Sequence, residues 1–194
     1  MKKLLAAVAV LSCVPGIAVA QDEAAPPSDF AGLRAELRLG YETPTVSGDG
    51  DVYKIGSAVS YGGEIGYDLA VSDKVTFGPY INYEFSGVEL CDGGDCLEIE
   101  SNLSAGGRVG VALSPTAALY GKVGYASLKL KAASGGFTGT DNKGGVYGAL
   151  GAEFAVSSNV YVNVEAAYAD YGDFYGTGFN LQRRHVAAGV GFRF

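Results

Sequence analysis

The feature that most constrains the fold is a regular alternation of apolar and polar residues, which recurs from residue 31 to the end of the chain. In the first segment, Leu33, Leu37 and Tyr41 share one face of an extended strand, and Arg34 and Arg38 share the other. A period of two is that of a β-strand with two different faces. Eight such segments can be counted, so the sequence predicts an all-β domain over residues 31–194.

The connections decide which kind of β domain the strands form, because alternation alone also fits a soluble sandwich or a lipocalin-like barrel. Short and long connections alternate strictly, as they do in transmembrane β-barrels with periplasmic turns and extracellular loops. The short ones are centred on 72–73, 114–115 and 157–159, and the long ones cover roughly 43–56, 87–98, 131–143 and 172–183. An unpaired amide in hydrocarbon costs several kcal/mol, so strand one is expected to pair with strand eight. The predicted fold is an eight-stranded antiparallel transmembrane β-barrel with up-and-down meander order.

Two positions disturb the predicted pairing. Pro79 has no amide hydrogen to donate to a ladder, and proline in a strand usually marks an edge or a bulge. Near Ser127 the alternation changes, and we expect a bulge that shifts the register there. The register is therefore left open at both positions.

Aromatic residues on the apolar face fall into two groups by their height in the barrel. Aromatic rings prefer the boundary between hydrocarbon and water, so each group is expected to form a girdle. The outer girdle is predicted to contain Tyr41, Tyr61, Tyr83, Phe85, Tyr125 and Tyr168. The periplasmic girdle is predicted to contain Tyr67, Phe77, Phe154 and Phe192.

The opposite face of the strands carries charges of both signs. Eight strands enclose an interior that side chains just fill, which excludes a wide pore. Buried charges persist only when they are paired. We therefore predict an interior network of ion pairs, with a narrow ion path as the alternative. Its members are expected to be Arg34, Glu36, Arg38, Glu64, Glu84, Glu100, Arg108, Lys122, Glu153 and Glu165.

The N-terminus has the layout of an export signal, with Lys2 and Lys3, an apolar run and a small-residue site that ends at Ala20. We predict a cleaved signal peptide over residues 1–20 and a periplasmic lead over 21–30. Lipoprotein processing at Cys13 is the alternative. The chain holds 21 acidic and 14 basic side chains, and the signal removes two lysines but no acid, so a nucleic-acid partner is not expected.

Cys91 and Cys96 remain as an even pair after the signal is removed. In an oxidising compartment such a pair predicts a disulfide, here at a loop tip. A zinc site is the alternative, but it lacks a second pair of ligands because His185 is the only histidine. Asp49 and Asp51 lack the later ligands of a calcium loop, so we expect no metal and no cofactor.

The C-terminal segment 186–194 alternates and ends in the aromatic Phe194. Together with the signal and the strands, it resembles the small outer-membrane β-barrels of Gram-negative bacteria, including the OmpA transmembrane domain and opacity-type porin family proteins. The resemblance implies location in the outer membrane and a terminal Phe194 that the barrel assembly machinery reads. It implies outer-membrane lipid and lipopolysaccharide as partners, and surface ligands bound through four extracellular loops. The expected role is structural or adhesive.

Some barrels of this kind are lipid acyltransferases that use a histidine, a serine and an acid near the outer rim. His185 is expected near the outer end of strand eight, where it would be solvated. Its possible partners Ser57, Ser60 and Ser101 lie in no nucleophile motif. We therefore predict no enzyme activity and keep a rim enzyme as the last of three hypotheses, after a surface-interaction protein and a narrow channel.

Overall fold

The computed structural model describes residues 30–48, 51–92, 94–134, 137–173, 176 and 178–194. The regular elements are all strands: β1 (Gly32–Gly48), β2 (Asp51–Lys54), β3 (Ala58–Ala70), β4 (Val75–Asp92), β5 (Asp95–Ser114), β6 (Ala117–Ser134), β7 (Phe137–Ala155), β8 (Val160–Asp173) and β9 (Asn180–Arg193). In these residues, no helix has the length and apolar character needed to cross a membrane. The predicted signal peptide lies outside the described residues.

Eight of these strands close into one antiparallel barrel, and the short β2 pairs only with the outer end of β1. Each barrel strand pairs with the next one along the chain, and β9 returns to β1 in a ladder that extends from Arg34↔Arg193 to Ser47↔Asn180. Closure leaves no unpaired edge in the hydrocarbon, where backbone groups find no water. The predicted eight-stranded meander barrel is confirmed.

The three short turns lie where the sequence predicts them, at one end of the barrel. They occupy residues 71–74, 115–116 and 156–159. In the first turn, the Ser72 hydroxyl accepts a hydrogen bond from the backbone amide of Val75 at 3.2 Å. In the last, the Ser157 hydroxyl accepts one from the amide of Val160 at 3.1 Å. Serine therefore supplies the acceptor that stabilises both tight turns.

The predicted long loops are corrected by the structure, because most of their residues are in strands. β4 and β5 extend through the predicted loop 87–98, and β6 and β7 extend through 131–143. These hairpins rise beyond the part of the barrel that is apolar on its outer face. Their polar and glycine-rich composition indicated loops, but the cross-strand ladders continue almost to the tips.

The two faces of the long strands exchange polarity above the outer aromatic residues. Along β6, the outward residues up to Tyr125 are apolar or small, and Lys122 lies inside. Beyond Tyr125, Leu128 and Leu130 are buried inside, while Lys129 and Lys131 lie on the outer face. Such an exchange is expected of a barrel whose lower part is surrounded by hydrocarbon and whose upper part is surrounded by water.

The bulge predicted near Ser127 lies on the partner strand β5, opposite Lys129 and Leu130, and not at Ser127 itself. Ser127 pairs with Leu103 and with Gly144, and both ladders continue through it without a shift. The change in pattern at this position is the exchange of polarity and not a change of register. The nearest irregularity in this pair of strands lies between Ile99 and Ser101.

Pro79 interrupts one ladder but does not change its register. β3 and β4 are paired at Gly66↔Tyr80 and again, with the same offset, at Leu69↔Phe77. The residues between these pairs make no ladder, as expected where proline has no amide hydrogen. On its other side, Pro79 stays in register with Gly107 of β5.

All ten predicted girdle residues lie on the outer face of the barrel, each more than 40% exposed. Near the outer end, Tyr61 stacks on Phe85 with ring centroids 5.3 Å apart. At the opposite end, Phe192 packs edge-on against Phe194 at 4.8 Å. Their position at the two membrane interfaces stays a prediction.

Candidate functional site

The barrel interior is filled by charged side chains that come from all eight barrel strands. In the described residues, the set comprises six cations and seven anions, none more than 6% exposed: Arg34, Arg38, Arg108, Lys122, Arg183, Arg193, Glu36, Glu42, Glu64, Asp68, Glu84, Glu153 and Glu165. Every second residue of a strand faces inward, so each strand contributes to this set by simple alternation.

The centre of the network is Glu165 on β8. Its carboxylate accepts hydrogen bonds from the Arg38 guanidinium at 2.6 Å and from the Lys122 ammonium at 2.5 Å. The hydroxyls of Tyr120 and Tyr147 each donate to it at 3.0 Å. Two cations and two phenols thus satisfy one buried carboxylate, the condition under which a buried charge is tolerated.

The half of the network near the short turns is organised around Asp68 and Glu153. The Arg108 guanidinium spans both carboxylates, at 2.6 Å from Asp68 and 2.7 Å from Glu153. Arg193 adds a second contact to Glu153 at 2.8 Å. Phe30, 4% exposed, lies below this layer with its ring centroid 5.9 Å from the Arg193 guanidinium. An aromatic ring therefore covers the charges at this end.

The outer half of the network is organised around Arg183 on β9. The Arg183 guanidinium contacts the Glu42 carboxylate. It also lies 2.9 Å from the Glu84 carboxylate. The Ser86 hydroxyl also donates to Glu42. Above this layer an apolar cluster fills the barrel, with Val88, Ile99, Leu128, Leu130, Tyr171 and Leu181 all between 0% and 4% exposed. Charges in the middle and apolar side chains at the outer end together fill the lumen.

Nine of the ten predicted network residues are brought together inside the barrel, and Glu100 is a correction. Glu100 lies at the β5 irregularity next to Ile99 and pairs on the outer face with Lys129 at 2.7 Å. The extra residue of a bulge takes no place in the alternation, so period-two counting assigned it to the wrong side. Its hydrogen bond with Lys129 lowers the pKa of the Glu100 carboxyl.

The sequence reasoning missed four charged members of the network. Glu42, Asp68 and Arg193 were already in phase with the inner face, so strict counting along their strands could have found them. Arg183 stood at the border of a predicted long loop, and no pattern in the sequence indicated that β9 begins three residues earlier.

His185 is a second correction, because it is buried at 4% exposure and not solvated at the rim. Its Nε2 lies 2.9 Å from the Ser60 hydroxyl, and its Nδ1 lies 3.8 Å from the Glu84 carboxylate. Gly40 makes this contact possible, since a Cβ there would lie 2.0 Å from Nε2. The order serine, histidine and acid resembles a hydrolytic triad, but Ser60 is 1% exposed and Glu84 is held by Arg183. No substrate reaches this serine in the described structure.

Above the outer aromatic residues, the barrel divides into two sheets. On one side β4, β5, β6 and β7 continue upward together, and on the other β8, β9, β1 and β2 do so. The ladder between β7 and β8 ends at Val146↔Asp170, and that between β3 and β4 ends at Tyr61↔Phe85. In the described residues, the upper parts of β4 and β7 and the whole of β2 are therefore each paired with a strand on one side only, and we call the other side a free edge, meaning an edge that no strand ladder pairs. Side chains still make contacts there: the Lys143 ammonium donates to the Asp173 carbonyl at 2.8 Å.

The tips of these sheets expose apolar side chains to solvent. Val52 and Tyr53 of β2 are each 55% exposed, Leu90 of β4 is 47% exposed and Phe137 of β7 is 84% exposed. Below them, ion pairs cover the outer face of β5 and β6, such as Lys131–Glu98 at 3.3 Å. Exposed apolar residues beside a free edge are typical of a surface that binds another chain.

The β4–β5 tip carries the predicted disulfide between Cys91 and Cys96, which is confirmed. The two cysteines are direct partners in the ladder, with Cα atoms 4.1 Å apart.

The sequence matches the family described as outer membrane protein beta-barrel domain over residues 5–194, nearly the whole chain. The chain belongs to this family. Membership of the outer membrane β-barrel family assigns the protein to the outer membrane, as predicted. No curated protein is similar enough in sequence to count as a relative.

Several solved structures of small outer-membrane barrels share the fold. Ail, the attachment invasion locus protein of Yersinia pestis, is 17% identical, with 84% of this chain and 99% of that one covered and a TM-score of 0.52. Neisserial surface protein A is 15% identical, with 82% and 97% covered and a TM-score of 0.56. OprG of Pseudomonas aeruginosa is 14% identical, with 84% and 96% covered and a TM-score of 0.53. At these identities the likeness concerns the fold alone.

Proposed function

We propose that this member of the outer membrane β-barrel family is a surface-interaction protein, in which the filled barrel is a rigid anchor and the protruding sheets bind the partner. The observation that carries the proposal is the set of free edges on β2, β4 and β7, next to exposed apolar residues. An extended segment of another protein can add to such an edge through main-chain hydrogen bonds. Binding residues are commonly found on segments that a rigid scaffold positions.

The filled interior argues against the narrow channel. In the part of the chain that the structure describes, an ion that enters at the end with the short turns meets Phe30 and then the Arg108 layer, and the buried cluster of Leu128 and Leu181 lies between that layer and the other end. Transfer of an ion into such an apolar region costs many kcal/mol. We therefore expect no conductance from the refolded mature chain in a planar bilayer. Discrete openings that change in Arg108→Ala or Glu84→Ala would instead make the protein a channel.

We also infer that the protein has no catalytic role. Ser60 and His185 are the best available nucleophile and base, and both are enclosed by the network. We expect His185→Ala to leave the lipid A of expressing cells unchanged in mass spectra. Any loss of a lipid modification in that variant would restore the enzyme hypothesis.

Ail is similar to this chain in fold, and a structure of it contains the heparin analogue sucrose octasulfate. A sulfated sugar would need exposed cations, and the outer-face Lys129 and Lys131 of this chain are already paired with Glu100 and Glu98. A protein segment is therefore a better partner than a sulfated sugar. Arg184, outward-facing and next to Tyr168 in the ladder, is our candidate for contact with a lipopolysaccharide phosphate.

The test uses proline as a probe of the β7 edge. Backbone amides of successive residues in a strand point to opposite sides. Gly139→Pro and Thr140→Pro are made as two separate variants. One of them therefore loses an amide hydrogen at the free edge, and the other loses an amide hydrogen that faces β6. Protease resistance of the hairpin identifies which variant keeps the β6 ladder. Bacteria that display the wild-type chain are expected to bind cultured epithelial cells or matrix proteins, and the hairpin-preserving variant is expected to lose this binding. Unchanged binding in that variant refutes the use of this edge.

A further inference from the structure

The outer face of the β4–β5 tip gathers potential metal ligands that the surface-binding role does not use. In the ladder, Cys91 pairs with Cys96 and Glu89 pairs with Glu98. Residues two apart on a strand share a face, and direct partners lie side by side, so all four side chains project from one face. The ligand atoms of Glu89, Cys91 and Cys96 lie within 4.8 Å of one another. Glu89 and Cys91 are exposed, so solutes reach the cluster.

The sulfurs bind metal only after the disulfide is reduced, because the thiolate is the ligand. A small-molecule thiol achieves this by exchange: two molecules of the thiol are oxidised to their own disulfide, and Cys91 and Cys96 each gain one hydrogen. A divalent cation then displaces the two thiol protons, which pass to water, and forms two metal–sulfur bonds.

The geometry fits a tetrahedral thiophilic cation. With metal–sulfur bonds of about 2.3 Å, two sulfurs in a tetrahedral site lie ~3.8 Å apart, and a carboxylate oxygen bonds at about 2.0–2.2 Å. These separations are within the 4.8 Å that already encloses the three ligand atoms. Small rotations of exposed side chains at a hairpin tip are sufficient to form the site.

Contacts other than the disulfide also hold the two strands of the hairpin together. Below the cysteines, the β4–β5 ladder continues from Leu90↔Leu97 through Val88↔Ile99, and Val88 and Ile99 are buried in the apolar cluster. On the other side, Cys96 pairs with Ala133 of β6. Reduction therefore frees two thiols without separating the strands that carry them.

We propose that Glu89, Cys91 and Cys96 form a redox-gated site for a thiophilic divalent cation such as Zn²⁺, closed to metal when the disulfide is formed and open when a thiol reduces it. One coordination position is left for water or for an external ligand. The site depends on the β4–β5 hairpin alone and not on the partner that the free edges bind.

The test titrates Co²⁺ into the refolded mature chain, prepared without a polyhistidine tag and with or without reduction by a dithiol that is then removed. Thiolate-bound Co²⁺ gives a charge-transfer band in the near ultraviolet and visible bands typical of tetrahedral geometry. We expect one Co²⁺ per reduced chain, displaced by Zn²⁺, and no such band from the oxidised chain. The heat-dependent gel shift verifies that every sample is folded.

Two matched variants assign the ligands. Glu89→Gln is expected to lower the affinity for Co²⁺ at least about tenfold. Loss of a group that only supports a ligand already lowers metal affinity by roughly that factor. Asp95→Asn removes the same charge beside Cys96 but on the opposite face, and it is expected to have no effect. Reduced wild-type chain without a charge-transfer band, or Glu89→Gln with wild-type affinity, overturns the proposed site.

Discussion

Replacement of Glu165 by glutamine tests whether the interior network stabilises the barrel through charge. The amide keeps the shape of the carboxylate but leaves Arg38 and Lys122 without the anion that lies 2.6 and 2.5 Å from them. Loss of one partner of a buried ion pair costs about 3–5 kcal/mol. Arg38 retains Glu36 at 3.0 Å, and Lys122 retains Glu64 at 2.7 Å. We therefore expect a loss near the lower limit, about 3 kcal/mol in the free energy of unfolding.

The assay is reversible urea unfolding of the folded chain in lipid vesicles, followed by the fluorescence of its 13 tyrosines, since tryptophan is absent. Glu100→Gln is the matched control, because it neutralises a glutamate whose partner Lys129 is 45% exposed. Exposed ion pairs contribute little, so this variant should unfold like the wild type. A Glu165→Gln barrel that folds, with a free energy of unfolding within about 1 kcal/mol of the wild-type value, would refute the view that pairing of these charges stabilises the barrel.

Four further predictions concern other parts of the chain. Gly40→Ala should destabilise the barrel by about 1–3 kcal/mol in urea unfolding, because its Cβ would clash with His185, as overpacking does. Leu128→Ala should cost about 2–5 kcal/mol and increase protease cleavage of the upper hairpins, since it empties part of the apolar cluster. Phe194→Ala should lower the amount of heat-modifiable barrel in cell membranes while refolding in detergent is unchanged; equal amounts in membranes would contradict its role as the assembly signal. Mass spectrometry of the exported chain should give an N-terminus at Gln21, and a lipid-modified Cys13 would contradict this.

Strand order and the lipid-facing surface could be predicted because one physical rule governs them. Hydrocarbon outside and a filled interior force every membrane-spanning strand to alternate, so the inward position of Arg34 and the outward position of Tyr41 follow from counting. Closure between β1 and β9 follows from the cost of an unpaired edge in lipid. No information on distant contacts was needed for either result.

The upper hairpins could not be predicted in this way, because the rule changes where the solvent changes. Above Tyr125 water replaces lipid, and the apolar residues Leu128 and Leu130 move to the inner face while the register stays the same. Counting alone took this exchange for a bulge at Ser127 and took the strands beyond it for a loop. The real bulge beside Ile99 left no signal except the charge of Glu100, which pattern counting assigned to the wrong face.

The sequence also could not predict which charged side chains of the network pair with each other. Alternation gives the side of a strand but not the height at which a long side chain ends. Arg38 of β1 thus reaches Glu165 of β8, and Arg108 of β5 reaches Glu153 of β7, across the lumen. Those distances depend on the stagger of strands around the barrel, which closure determines.

The exchange of polarity also separates the anchor from the binding surface within single strands. In β5, Arg108 belongs to the interior network in the membrane, while Cys96 and Glu98 stand in the hairpin above it. A substitution below the exchange should change stability and leave binding intact in the molecules that fold. A substitution of an exposed residue above it should do the reverse, because there the side chains contact water and any partner. Paired variants on neighbouring strands, such as Arg108→Met in β5 and Leu90→Ser in β4, therefore give opposite results in unfolding and cell-binding assays if the two parts are independent. Loss of cell binding by folded Arg108→Met would show that the network also positions the hairpins.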